Sequence, residues 1–568
     1  MKVISVKMTR FGLAVALLIF LGVIFQSVSM FKSGQIYDYG VGYWGPLARD
    51  GVWHEALVAA INKQIPPQNP GLAGERLLNY HYFYDLFVSM SSRATGVDFR
   101  FFIYRFYPLV FSVLLGFLTY KFAQRLFKNR LAIVSSVFLV YFGSSFGWFL
   151  DLLKGKEIGG ESTFWSNQPV SMNLNPPFAI SLIILIIILL ALDSYLASRK
   201  KRLALLIVVL CGILIGFKVY AAVLVLGALF LLGLKRYLLN NDLRVFIIFI
   251  LSTLLAAIIY LPQANFSSPP LVFEPLWLVN SMIDLGDRVG WKRLSSARVN
   301  YQAANLWVKF LAVEVVGLAI FLIGNLGTRI VAIISFKRNF FKNDLRFFMI
   351  AASLVSLVLP FLFVQSGNPW NIVQFFYYFL YICVFWAAEG LEIIYKKLPK
   401  KISLVFIASF FIITPVSSVA TFRSGFYSKP PAYLPTAEFE ALTFLSKQED
   451  GVVLKHPYDQ YIKLGLSDPY PLLAYADSSY VSAYSGMRVY IEDEEQQIIL
   501  GTDYKGRVKA AREFFVEKDL TKSNNFLKAA QINYLYLPII YSLPRAEEQY
   551  RMMKIFENRQ VKIYKVLQ

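Results

Sequence analysis

Residues 181–192 read SLIILIIILLAL, an uncharged stretch inside an apolar run of bilayer length. In hydrocarbon every backbone N–H and C=O must be satisfied within the protein, so a spanning segment is a helix of about 20 apolar residues. Such runs recur at 11–30, 102–124, 131–150, 177–197, 203–217, 219–234, 245–262, 306–334, 346–365, 372–394 and 402–420. The expected fold is an α-helical polytopic membrane domain of about eleven spans, followed by a soluble α/β domain. A chain that is 57% apolar and only 16% charged is not a soluble globular protein. The opening MKVISVKMTR followed by FGLAVALLIFLGVIFQSVSM resembles a signal peptide. Its apolar part is long enough to span and shows no small-x-small cleavage site, so it reads as an uncleaved first span.

The basic residues give the topology. Clusters fall at Lys2, Lys7 and Arg10, in KFAQRLFKNR (121–130) and SRKKR (198–202), at Lys235, Arg236 and Arg244, and in FKRNFFKNDLR (336–346) and KKLPKK (396–401). The positive-inside rule places these clusters and the N-terminus in the cytoplasm. Loops 31–101, 151–176, 263–305 and 366–371, and everything after 421, are then outside, in a multi-pass protein of the plasma membrane. The same clusters account for the net charge of +21, which therefore does not point to nucleic acid. Cys211 and Cys383 lie inside apolar runs, so neither a disulfide framework nor a thiolate metal site is implied. No tandem repeat or low-complexity tract is present.

Residues 203–234 carry basic clusters at both ends, so both ends belong on one side. Two short helices turning at Gly216–Lys218, in GFKVY, satisfy this. A Lys at that depth either snorkels to headgroups or meets an anionic ligand.

After 420 the apolar runs shorten. Helix-like segments (437–447, 505–518, 522–530) alternate with strand-like ones (GVVLK 451–455, RVYIE 488–492, INYLYLP 532–538, VKIYKV 561–566). The expected organisation is a membrane domain over 1–420, with an organised outer loop at 31–101, and an extracytoplasmic α/β domain over 421–568.

Two segments of that loop have helical spacing: ARDGVWHEALVAAIN (48–62) and LLNYHYFYDLFVSM (77–90), separated by the Pro/Gly-rich KQIPPQNPGLAGE. Each carries a carboxylate and a His four apart: Asp50 with His54, and His81 with Asp85. Residues four apart share a helix face. Glu55 stands beside His54. The chain has only three His. Three readings stand for this constellation. Asp50 is a general base that takes a proton from an acceptor hydroxyl. Some of His54, Glu55, His81 and Asp85 hold a divalent cation such as Mg or Mn. Or the pairs hold the loop together.

The architecture resembles the GT-C superfamily of integral-membrane glycosyltransferases. The arabinosyl-, mannosyl- and aminoarabinose-transferase types and the protein O-mannosyltransferase-like branch are the nearest in look. RDGVWHEALVAAI resembles their acidic-residue-then-helix motif in the first loop. NYHYFYDLFVS resembles a Y-H-x-x-x-x-L second helix, and LKAAQINYLYLP with KIFENRQVKIYKVL resembles the C-terminal strands. The resemblance implies a polyprenyl-phosphate sugar as donor, membrane lipid as surroundings, and an acceptor that is a lipid, a polysaccharide or a protein. It implies Asp50 as general base, acting at the outer face with inversion, and His54, Glu55, His81 and Asp85 as its support or as metal ligands. Many members have two adjacent acidic residues here. Asp50 is followed by Gly51, which leaves Asp38 in IYDYG as the alternative base.

The leaving phosphate needs cations at that depth. Candidates are Lys218, Arg105 and, in SMIDLGDRVGWKRLSSARVNY, Arg288, Lys292, Arg293 and Arg298; anionic headgroups are the other partner for that loop. The amide-rich WSNQPVSMNLNPP (165–177) suits sugar hydroxyls. Trp370, Asn371 and Gln374 fall where an aromatic belt is expected, and 469–490 offers an aromatic surface or a core. His456 reads as structural, and Asn265 in NFS fits a sequon. The rival functions are a transporter or flippase, and a non-catalytic assembly subunit for lipid-linked glycans.

Overall fold

The structure, a computed structural model, describes residues 9–159, 161–164, 168–265, 269–336 and 341–567. Lys2, Lys7, 165–167 of the amide-rich loop, 266–267 of the sequon and 337–340 of one basic cluster lie outside them. Contacts divide the chain into two units. One comprises Met1–Val28, Pro108–Pro262 and Pro269–Phe426, and the other Ser29–Tyr107, Gln263–Ser268 and Tyr427–Gln568.

The first unit is helical. Among the described residues nine helices are long and apolar enough to cross a membrane, or ten when Arg130–Phe142 and Gly147–Leu153, bent by 58°, count as one span. The eleventh expected segment is also helical, but Lys201–Phe217 has 17 residues and is short for a span. It ends at Lys218, where the backbone extends before Val219–Asn240 begins, at the turn that the charges require. Large apolar side chains point outward from these helices, with Val308 83% and Ile412 71% exposed, as lipid contact demands.

Three of the basic segments meet through two carboxylates. Asp242 takes Arg236 at 2.6 Å, Arg244 at 2.9 Å and Arg199 at 3.8 Å. Asp344 takes Lys235 at 2.9 Å and also Arg236. Segments read from sequence as lying on one side of the membrane thus share one end of the bundle.

The second unit joins the first long loop, after the first apolar helix, to the tail. Its larger sheet has the order Met552–Glu557, Val561–Val566, Tyr534–Pro538, Val452–Lys455, Arg488–Val489. The pairings are antiparallel across the first three strands and parallel across the rest. Helices Thr436–Leu445, Lys505–Phe514 and Leu520–Ala529 accompany it. Its core holds Leu454, Leu535, Phe514 and Leu527 from the tail and Leu72 from the loop. A smaller sheet runs Gln35–Tyr37, Gly40–Tyr43, Ala432–Pro435, Tyr470–Pro471, so two loop strands pair with the tail. At Gly40, with φ +123°, a β-carbon would collide with the Leu434 carbonyl; only glycine permits this approach.

Candidate active site

Asp50 is the first residue of the helix Asp50–Ile61, reached through the strand Gly40–Tyr43 and the tight turn Gly45–Ala48. It is half-buried, while every residue from Gly51 to Val58 is buried. Gly51 is required by packing: a β-carbon there would lie 2.6 Å from the Tyr104 hydroxyl. A carboxylate in the first turn is favoured by the helix dipole.

Glu55, one turn further, is spent structurally. Its Oε1 accepts from the Tyr43 hydroxyl at 2.8 Å and the Tyr104 hydroxyl at 2.7 Å, and its Oε2 from Arg100 Nε at 2.5 Å. Tyr43 also bonds the Tyr484 hydroxyl. Arg100 donates to the Ala483 carbonyl at 3.2 Å and stacks over the Tyr484 ring at 4.3 Å. Burial first, then Glu55, raises the Tyr43 hydroxyl well above its ordinary pKa. Both carboxylate oxygens of Glu55, expected from sequence as catalytic support or metal ligand, are engaged: Oε2 by Arg100 and Oε1 by the two tyrosine hydroxyls.

The expected pairing of His81 with Asp85 along one helix is corrected. The second helix is Phe83–Thr95, so His81 precedes it. Asn79 adopts a left-handed conformation at φ +57°. Its N–H donates to the Gln263 carbonyl at 2.8 Å and its side-chain amide to the Leu500 carbonyl at 3.2 Å. These bonds hold the chain out of the helix, and His81 stacks on Tyr80 at 4.9 Å. Asp85 instead reaches across to the first helix, its Oδ1 lying 2.7 Å from His54 Nδ1. Both residues are buried, and Oδ2 of Asp85 has no hydrogen-bond partner among the described residues. Burial pushes the Asp85 carboxyl up and His54 draws it back.

The sequence reading missed several neighbours. Burial first, then the Asp85 carboxylate, raises the Tyr80 hydroxyl well above its ordinary pKa, against a hydrogen bond with Trp53 and with smaller contributions from Asp50 and Asp493. Arg49, next to Asp50, forms an ion pair with Glu495. Asp493, buried and left-handed at φ +58°, accepts from the Ser479 hydroxyl at 3.0 Å. Burial and then Asp477 push its carboxyl well up, against Arg49. The run IEDEE (491–495) was the only signal for this group.

The proposed cations differ in their engagements. Arg298 pairs with Asp284 and lies 3.9 Å from Glu314. Arg288 lies 3.5 Å from Asp287 and over the Trp370 ring at 5.9 Å. Lys218, buried, donates to Asn175 Oδ1 at 3.0 Å. Arg105 is half-buried against the Tyr104 ring, 6.0 Å away. Lys292 and Arg293 are exposed on the helix Lys292–Ala303 and line an open concavity of about 410 Å³ with Ser296, Asn300 and Tyr301.

No protein-family model matches the sequence, and no curated protein matches it significantly. Solved structures do. The oligosaccharyltransferase of Archaeoglobus fulgidus in the apo form aligns over 94% of this chain and 70% of its own, at a TM-score of 0.53 and 12% identity. The same enzyme with zinc and sulfate aligns over 92% and 68%, at 0.51 and 12%. The arabinofuranosyltransferase AftD from Mycobacteria aligns over 98% of this chain, at 0.51 and 13% identity, and this chain spans 40% of AftD. The chain has the GT-C fold.

Of the four loop residues, His54 and Asp85 are bonded to each other, and both oxygens of Glu55 accept hydrogen bonds. Among the described residues no group of three or more His, Cys, Asp or Glu could hold a metal ion. Asp38, the alternative base, lies in the exposed turn between strands Gln35–Tyr37 and Gly40–Tyr43. Asp50 is the loop carboxylate that combines a fixed helix with partial exposure.

Proposed function

We propose that the chain is a membrane glycosyltransferase that moves a sugar from a polyprenyl-phosphate donor to an acceptor hydroxyl at the outer membrane face. Asp50 is the general base. The acceptor oxygen attacks the anomeric carbon, its proton passes to an Asp50 oxygen, and the bond to phosphate breaks with its electron pair leaving on the lipid phosphate. The observation that carries this reading is Asp50 itself: a half-exposed carboxylate at the head of a buried helix, in a chain with the GT-C fold.

The remaining groups take supporting roles. The His54–Asp85 pair fixes the Asp50 helix against Phe83–Thr95 and leaves His54 Nε2 as the one imidazole nitrogen outside the pair. Lys292 and Arg293, whose charges meet no carboxylate among the described residues, are the cations best suited to the leaving phosphate, with Lys218 as the buried alternative. Arg298 and Arg288 are already engaged.

Purified protein supplied with a radiolabelled polyprenyl-phosphate sugar and membrane acceptors tests the reading. Wild type transfers or releases the label, and Asp50→Asn loses the activity by about 100-fold or more. Transfer that survives this substitution removes Asp50 as base. Movement of the intact lipid-linked sugar across vesicles without bond cleavage would make the chain a transporter.

A further inference from the structure

The strand Gln35–Tyr37 lies at one edge of the smaller sheet, where it pairs with Gly40–Tyr43 alone. Its middle residue, Ile36, is 65% exposed, and Phe31 and Tyr39 on either side of it are 42% and 38% exposed. An apolar edge strand left in water invites pairing with another chain, so proteins cover such edges or charge them. Between Ile36 and Gly40 the sequence offers one charge, Asp38 at the turn. What covers this edge follows from where the chain holds it.

The hairpin is fastened to the ends of two apolar helices. Arg10–Phe31 ends just before Gln35, and Val416–Tyr427, which closes the last apolar segment, ends just before the strand Ala432–Pro435. Connections this short reach at most about 18 Å even when fully extended. The first is not extended. The Ser33 N–H donates to the Met30 carbonyl at 3.0 Å and the Gly34 N–H to the Gly42 carbonyl at 2.9 Å, so the chain folds back at the helix end. The carbonyl of Ser428, next after the second helix, accepts from Lys32 Nζ at 3.2 Å and from Trp44 Nε1 at 3.1 Å. Both helices belong to segments apolar enough to cross a membrane, so the hairpin stands where two spans leave the hydrocarbon. Its side chains suit that level. Tyr37 and Tyr39 stack at 5.3 Å, Tyr433 meets Tyr39 edge-on at 5.7 Å, and Lys32 Nζ lies 4.5 Å over the Trp44 ring. Tyrosine and tryptophan collect at the membrane–water boundary because each has an apolar body and a polar tip. Lys32 and the exposed Lys429 bring positive charge to the level of lipid phosphates. Asp38 keeps the turn out of the hydrocarbon, which sets the contact at headgroup depth.

We propose that the hairpin 35–43 is a membrane-interface anchor, with Ile36 and Tyr39 seated among the lipid headgroups of the bilayer that the chain spans. The strand Gly40–Tyr43 runs on through Gly45–Ala48 into the Asp50 helix, so the anchor fixes the depth at which Asp50 stands. The anchor goes beyond the glycosyltransferase reading and does not depend on it.

The test uses the full-length protein in nanodiscs of phosphatidylcholine and phosphatidylglycerol. A nitroxide is placed on Ile36→Cys, on Tyr39→Cys and, as a reference in water, on Lys509→Cys, where the lysine side chain is 79% exposed on the helix Lys505–Phe514. Cys211 and Cys383 are buried, and wild type treated with the same reagent gives their background. Ile36→Cys melts as wild type does, because the side chain it replaces is largely exposed. Oxygen concentrates in lipid, whereas a nickel chelate stays in water. At 36 and 39 relaxation by oxygen exceeds relaxation by the chelate several-fold, and at 509 the order reverses. Labels at 36 and 39 that behave like the one at 509 overturn the proposal and leave the edge in water. Labels shielded from both reagents overturn it as well, and point to a second copy of the chain paired on the edge. The readout needs no turnover, so a failure of the enzyme reading and a failure of the anchor are separate results.

Discussion

Nδ1 of His54 lies 2.7 Å from Oδ1 of Asp85, joining two helices of the first loop that are separated in sequence by a Pro/Gly-rich connector. A carboxylate on one imidazole nitrogen selects the tautomer and fixes the ring, so whatever His54 contributes beside Asp50 depends on Asp85. Asp85→Asn is expected to lower kcat about tenfold with donor KM nearly unchanged, and to shift the acid limb of the pH–rate profile. His54→Gln should do the same. His81→Ala should leave kcat and the profile intact, since His81 stacks on Tyr80 outside the helix. Steady-state kinetics from pH 5 to 9 on the three variants checks this, and loss of activity confined to His81→Ala would reverse the assignment.

Glu55 supports a different expectation. It is fully buried and holds Arg100, Tyr43 and Tyr104 at once. Glu55→Gln leaves the guanidinium with only the exposed Asp98, 3.4 Å away, as counter-charge; breaking a buried pair costs about 3–5 kcal/mol. Tyr43→Phe removes one hydrogen bond and should cost about 1 kcal/mol. Thermal denaturation of the purified protein should rank the two in that order. Turnover per folded molecule should fall far less than stability, because neither residue faces the acceptor in the proposed chemistry.

What could be read in the sequence follows the range of the forces involved. Each spanning helix satisfies its own backbone, so its apolar run alone announces it, and all eleven expected segments are helical in the described residues. The break at Lys218 was legible because charges at both ends of a single segment demand a turn. The Asp50 helix begins where its own residues say it should. His81 was misread because Asn79 is held by the carbonyls of Gln263 and Leu500, which lie far along the chain. The pairing of Gly40–Tyr43 with Ala432–Pro435 was invisible for the same reason: strand partners are chosen by tertiary contact and leave no local periodicity. The partners of Glu55 come from Tyr43 on one side and from Arg100 and Tyr104, some 45–49 positions further on, so its engagement could not be seen from its neighbours in sequence.

Two carboxyl groups in the tail give a pH dependence with a definite sign. Burial pushes Glu438 up to about 7, against a hydrogen bond from Tyr536 at 2.9 Å and the nearby Lys455. Burial pushes Glu492 up to about 7 as well, against Lys455 and Ser482. In the unfolded chain both titrate near 4.5. Between these values the folded state binds more protons than the unfolded state, so stability falls as pH rises from about 4.5 to about 7 and then levels off. The two groups together account for a decline on the order of a few kcal/mol. Denaturation midpoints of wild type across that window should fall with pH, whereas Glu438→Gln with Glu492→Gln should flatten the curve. A wild-type curve that rises through the same window would show both groups ionised and well paired in the fold.

The basic residues of the 288–298 segment should separate by function under mutation. Lys292 and Arg293 project from their helix into an open concavity, whereas Arg298 is 15% exposed and engaged by Asp284 and Glu314. An exposed cation attracts an anionic ligand through a screened field, so its contribution fades as salt rises. Lys292→Gln with Arg293→Gln should raise the donor KM about tenfold at low ionic strength and reduce its dependence on salt, with little change in melting temperature. Arg298→Gln should lower the melting temperature instead, because it strips two carboxylates of their counter-charge, and should leave the salt dependence of KM as in wild type. Donor kinetics between low and physiological salt, measured beside thermal denaturation, resolve the two behaviours. If Arg298 alone controls donor KM, the ion pair seen here opens to receive the phosphate and the exposed pair serves lipid headgroups.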